Sequence, residues 1–203
     1  MNMIRIGLIG INTKEKDYLG LYFGKVLSME YKVVLISRQL SIMGGLEDYE
    51  YNDAFRIVSH IPDTFEADYL IVDELEFDRE SYDCLFFITG PKQSEVSDNE
   101  PIFNNGILAN DCVIYHNIFQ DSKINGKYLS NRLKIDPKKI KVLERSINEW
   151  DLIMEMENDY DHSIGMQHMS RDYQKLIYKM LQHSTSDKDK AIKRWLKKAK
   201  RSK

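Results

Sequence analysis

Apolar runs and apolar periodicities alternate along this chain. Residues 4–11 form a short isoleucine-rich run and residues 31–37 a second, β-branched one. Continuous runs of this length predict strands buried on both faces. Between them, Tyr18, Leu21, Tyr22, Lys25, Val26 and Met29 share one broad face of a helix over residues 18–30, with Asp17 as its cap. Strand, loop, helix and strand in this order make a parallel β-α-β unit. Residues 38–52, with Gly44-Gly45 in an acidic setting, read as a loop. Residues 55–61 and 69–72 are further short strands. Residues 82–89, YDCLFFIT, form the strongest apolar run, closed by Gly90-Pro91. The polar stretch after it reads as a loop, followed by a short helix over 101–109, a strand over 111–116, a helix over 128–133 and a last strand over 139–143. Residues 148–157 are acidic and rich in methionine. Met154, Met156, Met166 and Met169 read as core filler in preference to an adaptable binding surface. From Ser170, the residues Tyr173, Leu176, Ile177, Met180 and Leu181 mark an amphipathic helix. The pattern predicts an α/β domain with a mostly parallel, doubly wound sheet over residues 1–183.

The pattern changes at residues 184–203, a polar hinge and a basic tail. Ile192, Trp195, Leu196 and Ala199 recur at i, i+3, i+4 and i+7, which puts one apolar stripe under a lysine-rich face. Ile192, Lys193, Arg194, Trp195, Leu196, Lys197 and Lys198 are therefore the candidate membrane or partner surface. A stripe of this kind suits anionic lipid, an acidic protein or a nucleic-acid backbone.

Charge sharpens that division. The chain of 203 residues has a formal net charge of −3, from 29 basic and 32 acidic side chains. Residues 188–203 hold nine of the bases and one of the acids, so the body is strongly acidic and the tail strongly basic. An acidic body does not lie along a polyphosphate, and sequence-specific nucleic-acid reading is not expected. The two cysteines, Cys84 and Cys112, have no metal-ligand spacing and fit a reducing compartment. No run of about 20 apolar residues occurs, as a membrane span would need. The expected location is cytoplasmic, with any membrane contact peripheral, at the inner face of the cell membrane.

Several segments, taken in order, resemble the MinD/ParA (SIMIBI) group of P-loop ATPases. They are IRIGLIG, the loop INTKEKDY, the helix LGLYFGKVLSME, the strand YKVVLIS (family pattern YKVLLID), YDCLFFITGP (family pattern YDFVIIDTP) and CVIYHN. The resemblance implies a P-loop NTPase-like sheet, and it likens the basic amphipathic end to a membrane-targeting helix. The family's phosphate loop is missing. Such a loop needs glycines, so that backbone N–H groups can wrap phosphates, then Gly-Lys-Ser/Thr. After Gly10 this chain has bulky or charged residues, and Gly24-Lys25 lies inside the helix. Lys14, Lys16 and Asn117 are the residues that would meet a nucleotide if any binding survives. Where the resemblance leads one to look for carboxylates at strand ends, the chain has Ser37 and Ile88-Thr89. No cofactor and no catalytic residue are expected.

Other chemistry is thin. His162 and His168, with Asp159 and Asp161 nearby, match no metal motif. Ser37, Thr89 and His116 line a strand edge without an evident carboxylate to orient them. The expectation is a non-catalytic protein-interaction or scaffold module, descended from a MinD/ParA-like ATPase and serving assembly or positioning of a membrane-associated machine. Its partner is another protein or a second copy of itself. A residual nucleotide-binding protein or ATPase, and a nucleic-acid-associated protein acting through its tail, are the alternatives.

Overall fold

In the computed structural model, residues 3–37, 48–60, 66–75, 77–119 and 121–202 are described. The expected loop around Gly44-Gly45 lies mostly outside them. Among the described residues, eight strands form one sheet: β1 (Ile4–Ile9), β2 (Val33–Ile36), β3 (Asp48–Asn52), β4 (Phe55–Val58), β5 (Tyr69–Glu74), β6 (Cys84–Thr89), β7 (Cys112–Ile118) and β8 (Lys141–Ser146). Their spatial order is β3-β4-β2-β5-β1-β6-β7-β8. All neighbours are parallel except the edge pair β3 and β4. Among the described residues, six α-helices flank it: α1 (Lys14–Leu27), α2 (Gln93–Gly106), α3 (Gly126–Arg132), α4 (Glu149–Asp161), α5 (Arg171–Ser184) and α6 (Asp189–Ala199).

The period-2 alternation of the central strands feeds separate clusters on opposite faces of the sheet, with Val34, Ile36, Val58, Leu70 and Val72 of β2, β4 and β5 forming a third, smaller one. Ile6, Leu8, Phe86, Ile88 and Ile114 join the residues of α1, α5 and α6. Ile9, Leu85, Phe87, Val113 and Tyr115 join Val96 and Phe103 of α2 and Leu129 of α3 on the other face. The sheet is therefore covered on both faces, as continuous apolar strands require.

Several boundaries differ from the sequence reading. Helix α1 starts earlier than expected, because the Thr13 side chain accepts from the Lys16 N–H and is the cap. Asp17 thus lies inside the first turn, buried. Helix α2 begins inside the stretch read as a loop. Its inward positions include Glu95 and Asn99, both buried and polar, which hid the period. Residues 48–52, read as loop, form the edge strand β3. Met154, Met166 and Met169 are core, as expected, whereas Met156 is 55% exposed.

The basic end is not a free appendage. Ile192, Trp195 and Ala199 are at most 1% exposed and Leu196 8%, all inside the larger core. Trp195 meets Tyr31 edge-on with ring centroids 5.6 Å apart, and its Nε1–H donates to Glu30. Buried Lys25 donates to the carbonyls of Ile164 and Ser202, tying α1 to the chain end. The apolar part of the expected membrane or partner surface is thus closed off, and only the cationic part (Lys193, Arg194, Lys197, Lys198) faces outward.

Candidate functional site

The turn between β1 and α1 sits at the carboxyl edge of the sheet, between β5 and β6. Its form is set by Gly10, whose φ is +147°. A Cβ there would collide with the Ile88 carbonyl oxygen, so only glycine fits. The Ile11 N–H donates to Asn99 Oδ1 at 2.8 Å, which pins the turn to α2. Gly10, Glu15, Lys16 and Asp17 fall in the spacing G-x-x-x-x-G-K-[ST], with Glu in place of the second glycine and Asp in place of the hydroxyl.

Lys16 is the centre of this arrangement. Its ammonium is fully buried, 2.5 Å from Asp73 Oδ1, and donates to the Gly10 carbonyl at 2.5 Å and to Asn12 Oδ1 at 3.3 Å. Asp73 is the penultimate residue of β5, the strand beside β1, and accepts from Ser37 Oγ at 3.4 Å. Ser37 follows β2 and Ile88-Thr89 end β6, as the sequence reads; the carboxylate at this edge comes from β5. Asp17, one residue after Lys16, lies beside Asp73. Burial first, then the Asp73 carboxylate, raises its pKa to about 8 from an ordinary 3.8, against the pull of Lys16. An unpaired ammonium this deep would be costly, and Asp73 meets that cost internally.

These residues do not fit a nucleotide triphosphate. The lysine that would meet a phosphate already has an anion and a carbonyl. Glu15 adds negative charge at this turn, Asp17 stands where the loop would need a hydroxyl, and the Glu15 side chain crowds a loop that needs bare backbone N–H groups. The other two candidate residues are also held by carboxylates. Lys14 pairs with Asp159, and Asn117, at φ +53°, donates to Glu15 Oε1 at 3.2 Å. Lys14, Lys16 and Asn117 do converge on one loop, but each is bound within the protein. The loop from Gly10 to Asp17 contained the signal: its spacing and its acids are both visible. Asp73 was missed because YLIVDE was read as ending at Val72.

A second buried polar cluster lies along the same edge. His116 is 3% exposed and 3.7 Å from Glu95, which accepts the Gly90 N–H. Burial lowers the His116 pKa to about 4. Arg145 is 1% exposed, lies 3.3 Å from Glu155 and 3.5 Å from Asp151, and stacks over the Tyr173 ring at 3.7 Å. Burial raises Glu155 to about 7. Ser37, Thr89 and His116 do not form one catalytic group. Strands β2 and β7 are four positions apart in the sheet, about 19 Å. Thr89 instead accepts from Asn99. Among the described residues, no group of three His, Cys, Asp or Glu side chains is placed to hold a metal ion. None of the described helices is long and apolar enough to cross a membrane.

No protein-family profile matches the chain, and no curated protein is similar to it in sequence. Solved structures do match. A plasmid partition protein of Borrelia burgdorferi B31, bound to AMPPNP, superposes with a TM-score of 0.63 at 14% identity, over 90% of this chain and 98% of that one. The MinD cell division protein of Aquifex aeolicus gives 0.60 at 12% identity, over 91% and 100%. A ParA family ATPase of Chlorobium tepidum TLS gives 0.55 at 12%, over 96% and 97%. At these identities the likeness establishes architecture alone: the chain has the P-loop NTPase-like fold found in MinD and ParA proteins.

Proposed function

We propose that this protein is a non-catalytic interaction module built on a MinD/ParA-like fold, in which the protein's own carboxylates take the place of nucleotide phosphate. The single observation that supports it most is the Lys16–Asp73 pair, buried and 2.5 Å long. It gives the carboxyl edge of the sheet a fixed, ligand-independent shape. Protein partners, or a second copy, then meet a surface that nucleotide does not switch. One similar structure, from Aquifex aeolicus, is a complex of MinD with MinC, so this architecture serves as a partner-binding platform elsewhere. The test is calorimetric titration of the full chain with ATP and magnesium. No saturable heat is expected. Saturable binding that disappears in Lys16→Met would overturn the proposal.

A second reading follows from the outward lysines of α6. With the stripe buried, attraction to an anionic membrane surface would be electrostatic, each nearby lysine contributing about 1 kcal/mol. That fits a cytoplasmic protein held peripherally at the membrane, assisting a membrane-associated assembly. Flotation of the folded chain with anionic vesicles reads it directly, and no flotation ends it.

A further inference from the structure

Helix α4 turns an unusual face to solvent. At 100° per residue, Leu152, Met156, Tyr160, Ile153 and Trp150 share its outward arc. Trp150 is 62% exposed, Met156 55% and Tyr160 84%. The other positions on that arc are Glu149, Glu157 and Asp161, all exposed, and no base interrupts them. Two open aromatic rings set among carboxylates are the chemical complement of a lysine- and arginine-rich helix. The rings take cations on their faces, the acids take the same charges, and the long aliphatic stems cover the apolar ground between.

The same chain carries such a helix. The outward side of α6 presents Lys190, Lys193, Arg194, Lys197 and Lys198, followed by Arg201. The two surfaces lie at opposite ends of α1. Lys14 and Tyr18, in its first turns, meet Asp159 and Glu155 of α4. Met29 and Glu30, just past its last turn, meet Lys198, Trp195 and Arg194 of α6. The 14 residues of α1 separate them by about 21 Å along one layer of the fold.

We propose that the acidic, aromatic face of α4 docks the cationic face of α6 from a second copy of this chain. Because the two patches differ and sit at opposite ends, the contact is heterologous. A copy joined through one such contact leaves one patch of each kind unfilled, so further copies can add head to tail. The carboxyl-edge cluster around Lys16 takes no part, so failure of the nucleotide prediction leaves this inference standing, and the reverse.

Sedimentation velocity on the full chain tests it. At low salt, the average mass should rise with protein concentration; at high salt, screening should return the monomer. Trp150→Ala/Tyr160→Ala removes one patch and Lys193→Glu/Lys197→Glu the other. All four side chains are exposed, so the fold survives, which circular dichroism checks. Each double variant alone should stay monomeric. An equimolar mixture should form a 1:1 dimer that grows no further, because each supplies the patch the other lacks. A wild-type chain that is monomeric at every concentration and salt would overturn the proposal. So would assembly that persists in either variant, or a mixture that fails to pair.

Discussion

Replacing Trp195 with alanine separates a structural tail from a membrane anchor. The side chain is 1% exposed, packs on Tyr31 and donates to Glu30. Truncation to alanine removes roughly 150 Å² of buried apolar contact, which at ~25 cal/mol per Å² is roughly 4 kcal/mol. Large-to-small changes in cores cost about 3–5 kcal/mol for tryptophan, in agreement. For a chain of this size that lowers the melting midpoint by roughly 8–16 °C. The control is built in, because the only other tryptophan is Trp150, which is 62% exposed. Trp150→Ala should shift stability by less than about 0.5 kcal/mol. Urea and thermal unfolding give both numbers. In Trp150→Phe the remaining emission reports Trp195 alone, and it should be blue-shifted and shielded from acrylamide. The refuting result is a Trp195→Ala variant that unfolds within about 1 kcal/mol of the parent yet loses binding to anionic vesicles. That pair of results would mean the stripe faces outward in solution.

Two other perturbations probe the carboxyl edge. Asp17 has a folded pKa raised to about 8, so between about pH 4 and pH 8 the unfolded chain binds fewer protons, and the stability this group contributes is lost as pH rises through that window. Asp17→Asn should flatten that decline in urea midpoints measured against pH; an unchanged slope would show that Asp17 ionises normally. His116 acts in the opposite sense, since a pKa lowered to about 4 makes its contribution disappear as pH falls below about 6.5, which distinguishes the two groups. Arg145→Met should cost about 3–5 kcal/mol, because it leaves Asp151 and Glu155 buried without their cation. Changing Asp151 and Glu155 to Asn and Gln alongside it should recover part of that loss in the same unfolding assay, and no recovery would mean that packing on Tyr173 dominates.

The sequence by itself determined the architecture. The runs at 4–9, 33–36, 84–89 and 112–118 contain enough consecutive apolar residues to demand burial on both faces, and that demand makes a parallel sheet covered by helices. It also shows that residues 10–17 do not carry an intact G-x-x-x-x-G-K-[ST] motif, with Glu15 and Asp17 at the second glycine and hydroxyl positions. The charge split between body and tail was equally plain. Tertiary structure decided what these features touch. A stripe such as Ile192–Trp195–Leu196 wants an apolar partner but does not name one; packing against α1 and α5 supplied it from within the chain, leaving the lysines to face outward. Asp73 and Lys16 are 57 residues apart in sequence, and only the placement of β5 beside β1 makes them an ion pair. In the sequence, residues 148–157 are simply an acidic, methionine-rich stretch. Folding sorted the acids of α4, sending Asp151 and Glu155 inward to Arg145 and leaving Glu149, Glu157 and Asp161 around exposed rings, because a helix fixes which residues share a side while only its neighbours fix which side is wet.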